Sequence, residues 1–292
     1  MMKTSSVSVD LPEGREGSFS SRISEMKDIR DDIFKGVTGR SVTAAIVADD
    51  SGVIAGTREA AEKARSLGLT VLEMVEEGEA ILKGREVARL SGSPKQIVMA
   101  EDCLVGLIAK PSGIATATRQ CVDRAGKQIQ IVCGAWKKMP GVLKDTIRRA
   151  IVTGGGHFRI SKDPFIYLDK NYTRILGGIE NSLKAVEHLH GYKKVVQIRG
   201  NQSDIAREAR EAAECRADII FIDNGKPGDI RIVAEELFRN GLGWKGKIAF
   251  AGNVKIEDID MLKTTPVDIL EIGRGIVDAP LLDLKFDVID IK

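Results

Sequence analysis

The hydrophobic pattern of the chain changes rhythm at Pro111. Before it, strand-like and helix-like segments are mixed. Residues 41–48 are an apolar run that reads as a buried strand. A turn at 49–52 follows, and 53–56 continues the pair. Thr57 is expected to cap a helix that carries Glu59 and Glu62 near its start and stops at Gly68. Residues 71–75 form the next strand, and 78–84 with 86–90 read as two short antiparallel strands. Apolar residues at 97, 98, 104, 105 and 108 predict a helix over 94–107. This first part has an α+β pattern.

Beyond Pro111 six apolar runs recur, at 129–135, 165–168, 195–198, 219–222, 248–251 and 269–272. Helical patterns lie between most of them, for example over 182–189, 203–215 and 229–240. Such alternation marks βαβ units and a parallel sheet. Six units suggest a barrel-like parallel sheet, complete or open on one side. A doubly wound open sheet is the other topology the pattern allows, because sequence alone does not reveal closure. In the last residues, Leu282, Leu284, Phe286 and Val288 alternate with Asp283, Lys285 and Asp287. That predicts one more half-buried strand, outside the barrel count.

Composition narrows the classes of function. At 292 residues the chain can form one large domain or two smaller ones, with a sizeable core. A net charge of +2 leaves no electrostatic footprint for nucleic acid, and 4% aromatic residues give no stacking platform for single strands. No apolar run approaches the ~20 residues of a membrane helix. The polar, Ser-, Glu- and Gly-rich start lacks the apolar segment of a secretory signal, so a cytoplasmic protein with a frayed leader over 1–25 is expected. Cys103, Cys121, Cys133 and Cys215 form no C-x-x-C pair, and there are three histidines, His157, His188 and His190. Buried free thiols fit a reducing compartment better than a zinc site does. His157, a lone histidine near the motifs below, reads as structural or exposed rather than as a general base.

Three small-residue strings stand close together: Ser112-Gly113-Ile114-Ala115-Thr116-Ala117-Thr118, Trp136-Lys137-Lys138-Met139-Pro140-Gly141 and Gly154-Gly155-Gly156-His157-Phe158-Arg159. They read as turns that let backbone approach a ligand, two of them beside cations. In parallel α/β sheets ligands bind at the carboxyl ends of the strands. The residues there are Trp136, Lys137 and Lys138; Asp169, Lys170, Asn171 and Tyr172; Gln197 and Arg199; Asp223 and Asn224; Gly252 and Asn253; and Gly273, Arg274 and Gly275. Cations, carboxylates and glycine turns together fit a phosphorylated sugar with Mg²⁺. Plainer readings exist. Lys137 and Lys138 can begin a solvated helix, Asp223-Asn224-Gly225 can be a cap or turn, and 154–156 can stop a helix. No G-x-x-x-x-G-K-[ST] loop, no G-x-G-x-x-G and no Ser-His-Asp or Cys-His order occurs, so nucleotide triphosphate hydrolysis and nicotinamide binding lack support.

These residues resemble the quinolinate phosphoribosyltransferase family (carboxylating nicotinate-nucleotide pyrophosphorylase), molybdenum-operon relatives included. The resemblance runs from Gly52-Val53-Ile54-Ala55-Gly56 through Ser112-Gly113-Ile114-Ala115-Thr116, Lys137, Pro140-Gly141, Gly154-Gly155-Gly156 and Arg159 to Asp223-Asn224 and Gly252, over roughly residues 40–285. It implies an α/β fold: an N-terminal α/β sandwich, here 26–111 with 277–292, plus an open parallel α/β barrel of about six strands, here 112–276. It also implies a head-to-tail homodimer, or a higher oligomer of dimers, and the joining of a pyridine dicarboxylate to phosphoribosyl pyrophosphate with Mg²⁺ and loss of CO₂.

The departures bear on substrate. Where the family has Thr-Arg-Lys-Thr, this chain has Ala135-Trp136-Lys137-Lys138; its His-Arg is Phe158-Arg159, its Lys-Asp-Asn-His is Asp169-Lys170-Asn171-Tyr172, and its partner-subunit Glu-Arg is Glu101-Asp102. The family's third-strand acidic residue falls at Gln197 or Gln202. Two Arg and one Lys thus become Trp136, Asp102 and Asp169. Each lost charge-assisted contact with a carboxylate would cost on the order of 1.5–3 kcal/mol. The expected activity is therefore transfer of the phosphoribosyl group to an aromatic or nitrogenous acceptor other than quinolinate. Lys137, Asp223 and Asp169 are the expected catalytic residues, with Asp223 also on the metal. Lys137, Lys138, Arg159, Gly252, Asn253, Gly273 and Arg274 are expected to hold phosphates. Trp136, Phe158, Tyr172 and the partner subunit's Asp102 are expected to form the acceptor pocket, in which Asp169 and Asp102 favour an amine or ring N–H. A non-catalytic phosphometabolite-binding homologue or subunit, and a barrel enzyme using an imine at Lys137 or Lys170, are the alternative readings.

Overall fold

A computed structural model describes residues 28–239 and 243–292; the leader expected over 1–25 lies outside the described residues. After a short helix α1 (Ile29–Ile33), four strands form one antiparallel sheet in the order β12-β1-β5-β3: β1 (Val42–Ala48), β3 (Thr70–Met74), β5 (Glu86–Gly92) and β12 (Leu284–Ile291). The C-terminal strand predicted from alternation thus lies against β1, with Ile46 opposite Phe286. Helix α2 (Thr57–Ser66) and the first half of α3 (Pro94–Ala125) cover the sheet, and Ile46, Leu90, Ile97 and Leu104 are fully buried between these layers.

The second sheet holds the six predicted runs as parallel strands: β6 (Gln130–Val132), β7 (Phe165–Leu168), β8 (Lys193–Ile198), β9 (Ile219–Asp223), β10 (Lys247–Ala251) and β11 (Ile269–Glu271). Their order is β6-β11-β10-β9-β8-β7, so the barrel is open between β6 and β7. Helices α4 (Lys144–Thr153), α5 (Lys170–Ile175), α6 (Ile179–Ala185), α7 (Ile205–Glu214), α8 (Gly228–Arg239), α9 (Ile259–Leu262) and α10 (Arg274–Val277) connect or follow the strands. Two cores result. The larger lies between sheet and helices, around Ile198, Ile220, Ile222, Phe250 and Leu270. A smaller one, with Val132, Val195, Ile219, Phe221, Ala249, Ala251 and Ile269, fills the inside of the barrel. Side chains alternate across a strand, so the inward series is continued, two residues further on, by Gln197, Asp223 and Glu271.

Five local expectations are corrected. Thr57 does not cap α2; Gly56 is the N-cap, and Glu77 reaches in from another segment to accept the N–H groups of Gly56 (2.9 Å) and Thr57 (3.0 Å) and the Thr57 hydroxyl (2.9 Å). The segments 78–84 and 86–90 do not pair with each other. β4 (Ala80–Ile81) pairs with β2 (Gly52–Val53), so 53–56 does not extend β1, while β5 lies between β1 and β3. The helix expected to end near 107 runs on to Ala125, straight through Pro111. Consequently Ser112–Thr118 is no ligand-facing turn but the buried middle of α3.

Small side chains there serve packing. Ser112 Oγ accepts the Ala55 N–H (2.9 Å) and donates to the Ala55 carbonyl (3.2 Å), and Thr116 Oγ1 accepts the Val53 N–H (2.9 Å). Gly113 lies flat on the chain at Pro280, where any Cβ would overlap the Pro280 carbonyl oxygen. Residues 154–156 both stop α4 and press on α3, since a Cβ on Gly154 would overlap Ala115 O and Thr118. Gly113→Val is therefore expected to cost about 1–3 kcal/mol or more. Gly106→Ala, at an exposed site of the same helix with nothing within 4 Å, should gain roughly 0.5–1 kcal/mol. Urea unfolding midpoints of the two variants test the assignment: a tolerated Gly113→Val would contradict it.

Candidate active site

The carboxyl ends of the barrel strands surround one cavity of about 1500 Å³. A 3₁₀ turn after β6 (Ala135–Lys138) presents Trp136, Lys137 and Lys138 to it, and the segment after α4 presents Phe158 and Arg159. Asp223 ends β9, Gly252 and Asn253 follow β10, and Gly273 and Arg274 follow β11; all five line the same cavity. Ten of the residues expected from the sequence are thus brought together.

Aromatic and cationic side chains span the open seam between β6 and β7. Lys137 Nζ sits 5.4 Å from the Tyr167 ring centre on β7, and the Arg159 guanidinium sits 5.1 Å from that of Phe165. Trp136 Nε1 donates to the Phe158 carbonyl (2.9 Å), and their rings meet edge to face at 6.3 Å. Tyr167 and Phe221 meet likewise at 5.7 Å. The result is a slot with aromatic sides and cations at its rim.

Asp169 and Tyr172 are among the expected residues that do not line this cavity. Asp169 is the N-cap of α5, its Oδ1 accepting the N–H groups of Asn171 (2.8 Å) and Tyr172 (3.2 Å). An Asp directly before a helix satisfies donors that would otherwise be orphaned, and this draws its carboxylate to the helix end. Tyr172 is carried outward on the same helix and is 53% exposed. Asp169 thus caps α5 and Tyr172 is a surface residue of that helix; neither lines this cavity. Lys170 is also absent from the cavity lining. Asp102 is exposed on α3 and paired with Arg30 at 3.2 Å. His157 joins β6 through its backbone, donating to Ile131 O (3.0 Å) and accepting from Cys133 N (2.8 Å). Burial, with Lys162, lowers its pKa.

Of the two glutamines, it is Gln197 that serves the site. It is buried on β8, accepts the Lys170 N–H at 2.6 Å and donates to the Asp223 carboxylate. Gln202 lies in the loop beyond, whose backbone is gathered by Glu208. That buried carboxylate accepts the N–H groups of Arg199, Gly200, Asn201 and Gln202 at 2.8–2.9 Å. Asn224 ties the next loop down, donating to Asp229 (2.7 Å) and accepting from Lys226 N (3.0 Å).

Sequence reasoning missed Glu271, Tyr167 and Arg148, all of which line the cavity. Glu271 and Tyr167 lie within apolar runs rather than after them, and the signal each offers is a lone polar residue at an inward strand position. Burial raises the Glu271 pKa, Asp223 adds to this, and Lys137, the Gly134 N–H and Lys138 oppose it. Burial and the same carboxylates push Tyr167 far up, so it stays a neutral phenol. The Arg148 guanidinium lies 3.8 Å from the centre of the Trp136 ring and donates to Asp145 (2.7 Å). Among the described residues no group of three or more His, Cys, Asp or Glu could hold a metal by itself, and no helix is long and apolar enough to cross a membrane. All four cysteines are free, with burial pushing Cys121 up to about 11 and Cys133 up to about 12.

Residues 28–112 match the N-terminal domain of quinolinate phosphoribosyl transferase, and residues 114–287 match its C-terminal domain. A probable nicotinate-nucleotide pyrophosphorylase (carboxylating) of Methanothermobacter thermautotrophicus is 30% identical over 256 residues, covering 87% of this chain and 91% of that protein. Its counterpart of Archaeoglobus fulgidus is 31% identical over 252 residues, covering 86% and 95%. Among solved structures, the nicotinate-nucleotide pyrophosphorylase of Francisella tularensis superimposes with a TM-score of 0.76 at 21% identity, covering 92% of this chain and 93% of that one. That of Pyrococcus furiosus gives 0.78 at 19% identity, covering 97% and 79%. The open six-stranded barrel, which the apolar runs allowed and the family resemblance implied, is thus the fold of these enzymes.

Glu208→Gln is expected to cost about 1.5–3 kcal/mol, because buried N–H groups lose a charged acceptor. Hydrogen exchange should accelerate at amides 199–203 while core strands stay protected. Unchanged exchange there would show that Glu208 does not hold the loop.

Proposed function

The chain belongs to the quinolinate phosphoribosyl transferase family and is an enzyme of the phosphoribosyltransferase class; from that premise we propose that it carries the phosphoribosyl group from phosphoribosyl pyrophosphate to an aromatic or nitrogenous acceptor other than quinolinate. The observation that carries this reading is the shared cavity of Lys137, Arg159, Asp223, Gly252 and Arg274, with an aromatic slot beside it.

In this reading the 5′-phosphate sits on the turns at Gly252-Asn253 and Gly273-Arg274. Arg274 already approaches Asn253 Oδ1 at 3.4 Å, and the backbone N–H groups of α10 begin there, though that helix is short. Lys137, Lys138 and Arg159 hold pyrophosphate oxygens, where fixed positive charge steadies the leaving group as negative charge develops on it. Asp223 faces the positive charge that builds at the anomeric carbon, oriented by the amide of Gln197. Mg²⁺ commonly takes only one or two protein carboxylates and draws its other ligands from substrate phosphates and water. Asp223 fits that donor set, and the metal would neutralise pyrophosphate charge when bound.

The acceptor end carries little that would grasp two carboxylates. Trp136 stands where the resemblance expects an Arg, and Arg148, which stacks on it, is already paired with Asp145. Glu271 and Asp223 add negative charge to the same end. The head-to-tail homodimer, with a second copy's Asp102 at the cavity mouth, belongs to this proposal, as does a cytoplasmic location. The exposure of Asp102 is compatible with the dimer.

Calorimetric titration with phosphoribosyl pyrophosphate and Mg²⁺ is the direct test. Binding is expected, and Lys137→Ala or Arg159→Ala should weaken it about 10- to 100-fold, the equivalent of one charge-assisted contact. Absence of binding at millimolar ligand would reject the phosphoribosyl half. Release of CO₂ from quinolinate by the loaded enzyme would reject the altered acceptor.

A further inference from the structure

Glu271 occupies the inward position at the end of β11 and lines the cavity between the phosphate turns and the aromatic slot. Its Oε1 accepts the Gly134 N–H at 3.2 Å, and among the described residues no donor is bonded to Oε2. The backbone is shaped to admit this carboxylate, since a Cβ on residue 134 would lie 2.5 Å from Oε1. Oε2 is not one of the buried polar atoms left without a partner, so it is open to the cavity, where a bound ligand can supply a donor.

The groups that face Glu271 come from three elements: Asp223 from β9, Lys137 and Lys138 from the turn after β6, and Tyr167 from β7. Asp223 and burial make Glu271 hold a proton more readily than an ordinary glutamate does, while the lysines and the Gly134 N–H restrain the effect. Trp136, Phe158, Tyr167 and Phe221 line the same cavity as Glu271. What the end of the slot offers is thus one free carboxylate oxygen among aromatic faces.

Resting on the phosphoribosyl reading above, we propose that Glu271 reads the acceptor: its Oε2 binds the N–H of a nitrogen heterocycle lying in the aromatic slot and takes that proton during transfer. The lone pair on the ring's other nitrogen forms the bond to the anomeric carbon. The carbon–oxygen bond to pyrophosphate breaks, and its electron pair leaves with pyrophosphate. The N–H proton passes to Oε2, so the ribosylated ring is neutral and no oxidant or reductant is needed. An acidic pyridine offers Glu271 no N–H and meets its charge with another, which explains in one residue both the preference and the exclusion.

The experiment uses the full chain with Mg²⁺ and phosphoribosyl pyrophosphate, with benzimidazole, imidazole and quinolinate as probes. Binding is followed by calorimetry and turnover by pyrophosphate release, for the unaltered chain, Glu271→Gln and Glu271→Ala. The expected result is pyrophosphate release with a heterocycle and none with quinolinate. Glu271→Gln, which keeps an oxygen for the N–H but cannot take the proton, should lose at least tenfold in kcat with little change in KM. Glu271→Ala should lose acceptor binding as well. Both variants should bind phosphoribosyl pyrophosphate like the unaltered chain, which shows that they fold. Equal turnover by Glu271→Gln, failure of both heterocycles to bind the loaded enzyme, or preference for quinolinate would each overturn the inference. Failure of the unaltered chain to bind phosphoribosyl pyrophosphate would instead overturn the parent reading, and this inference with it.

Discussion

The close approach between helix α3 and its neighbours is the constraint on which the rest of the structure depends. This helix begins beneath the antiparallel sheet, with Ile97 and Leu104 in that core, and ends beside the barrel, with Ile114 and Cys121 in the other. Between them Ser112, Gly113 and Thr116 take up the backbone of residues 53–55 and the chain at Pro280. Three stretches distant in sequence meet on one strip of small side chains. The Leu107 carbonyl that Pro111 leaves without its helical partner lies against Gly56, where any Cβ would overlap it. A larger residue in the strip would separate sheet from barrel before it touched any catalytic group.

Barrel geometry then converts sequence position into chemistry. Alternation directs Phe221 and Ile269 into the dry interior and, two residues later, Asp223 and Glu271 to its mouth. The interior beneath the two carboxylates is apolar, so their charges interact in a poorly screened setting, with Lys137 and Lys138 opposite. Gln197 adds an amide where a third carboxylate would have raised the repulsion further. The site is thus split between a cationic rim and a carboxylate-bearing, aromatic floor. The loop that follows Gln197 is fixed by a buried acceptor, Glu208, rather than by packing alone.

Much of this was legible in the chain itself. Parallel strands buried on both faces read as continuous apolar runs, and each of the six runs found that way is a strand of the barrel. Residues immediately following those strands, from Trp136 to Arg274, could be nominated because ligands gather at that end. Less legible were residues whose role depends on competition between partners. Asp169 had the right position for the cavity, yet the orphan N–H groups of α5 hold its carboxylate. Glu271 looked like an interruption in an apolar run until closure of the sheet aimed it inward.

Sequence by itself therefore determined the elements that rest on local periodicity and on transfer of apolar side chains from water: the strands, the helices between them and the family pattern. Only the tertiary structure decided which strands pair, where α3 ends, and which carboxylate lines the cavity rather than capping backbone. Those outcomes turn on contacts between residues far apart in the chain. Gly113 against Pro280, Gly134 against Glu271 and Gln197 against Asp223 become neighbours once the barrel has curled, and no local propensity encodes their meeting.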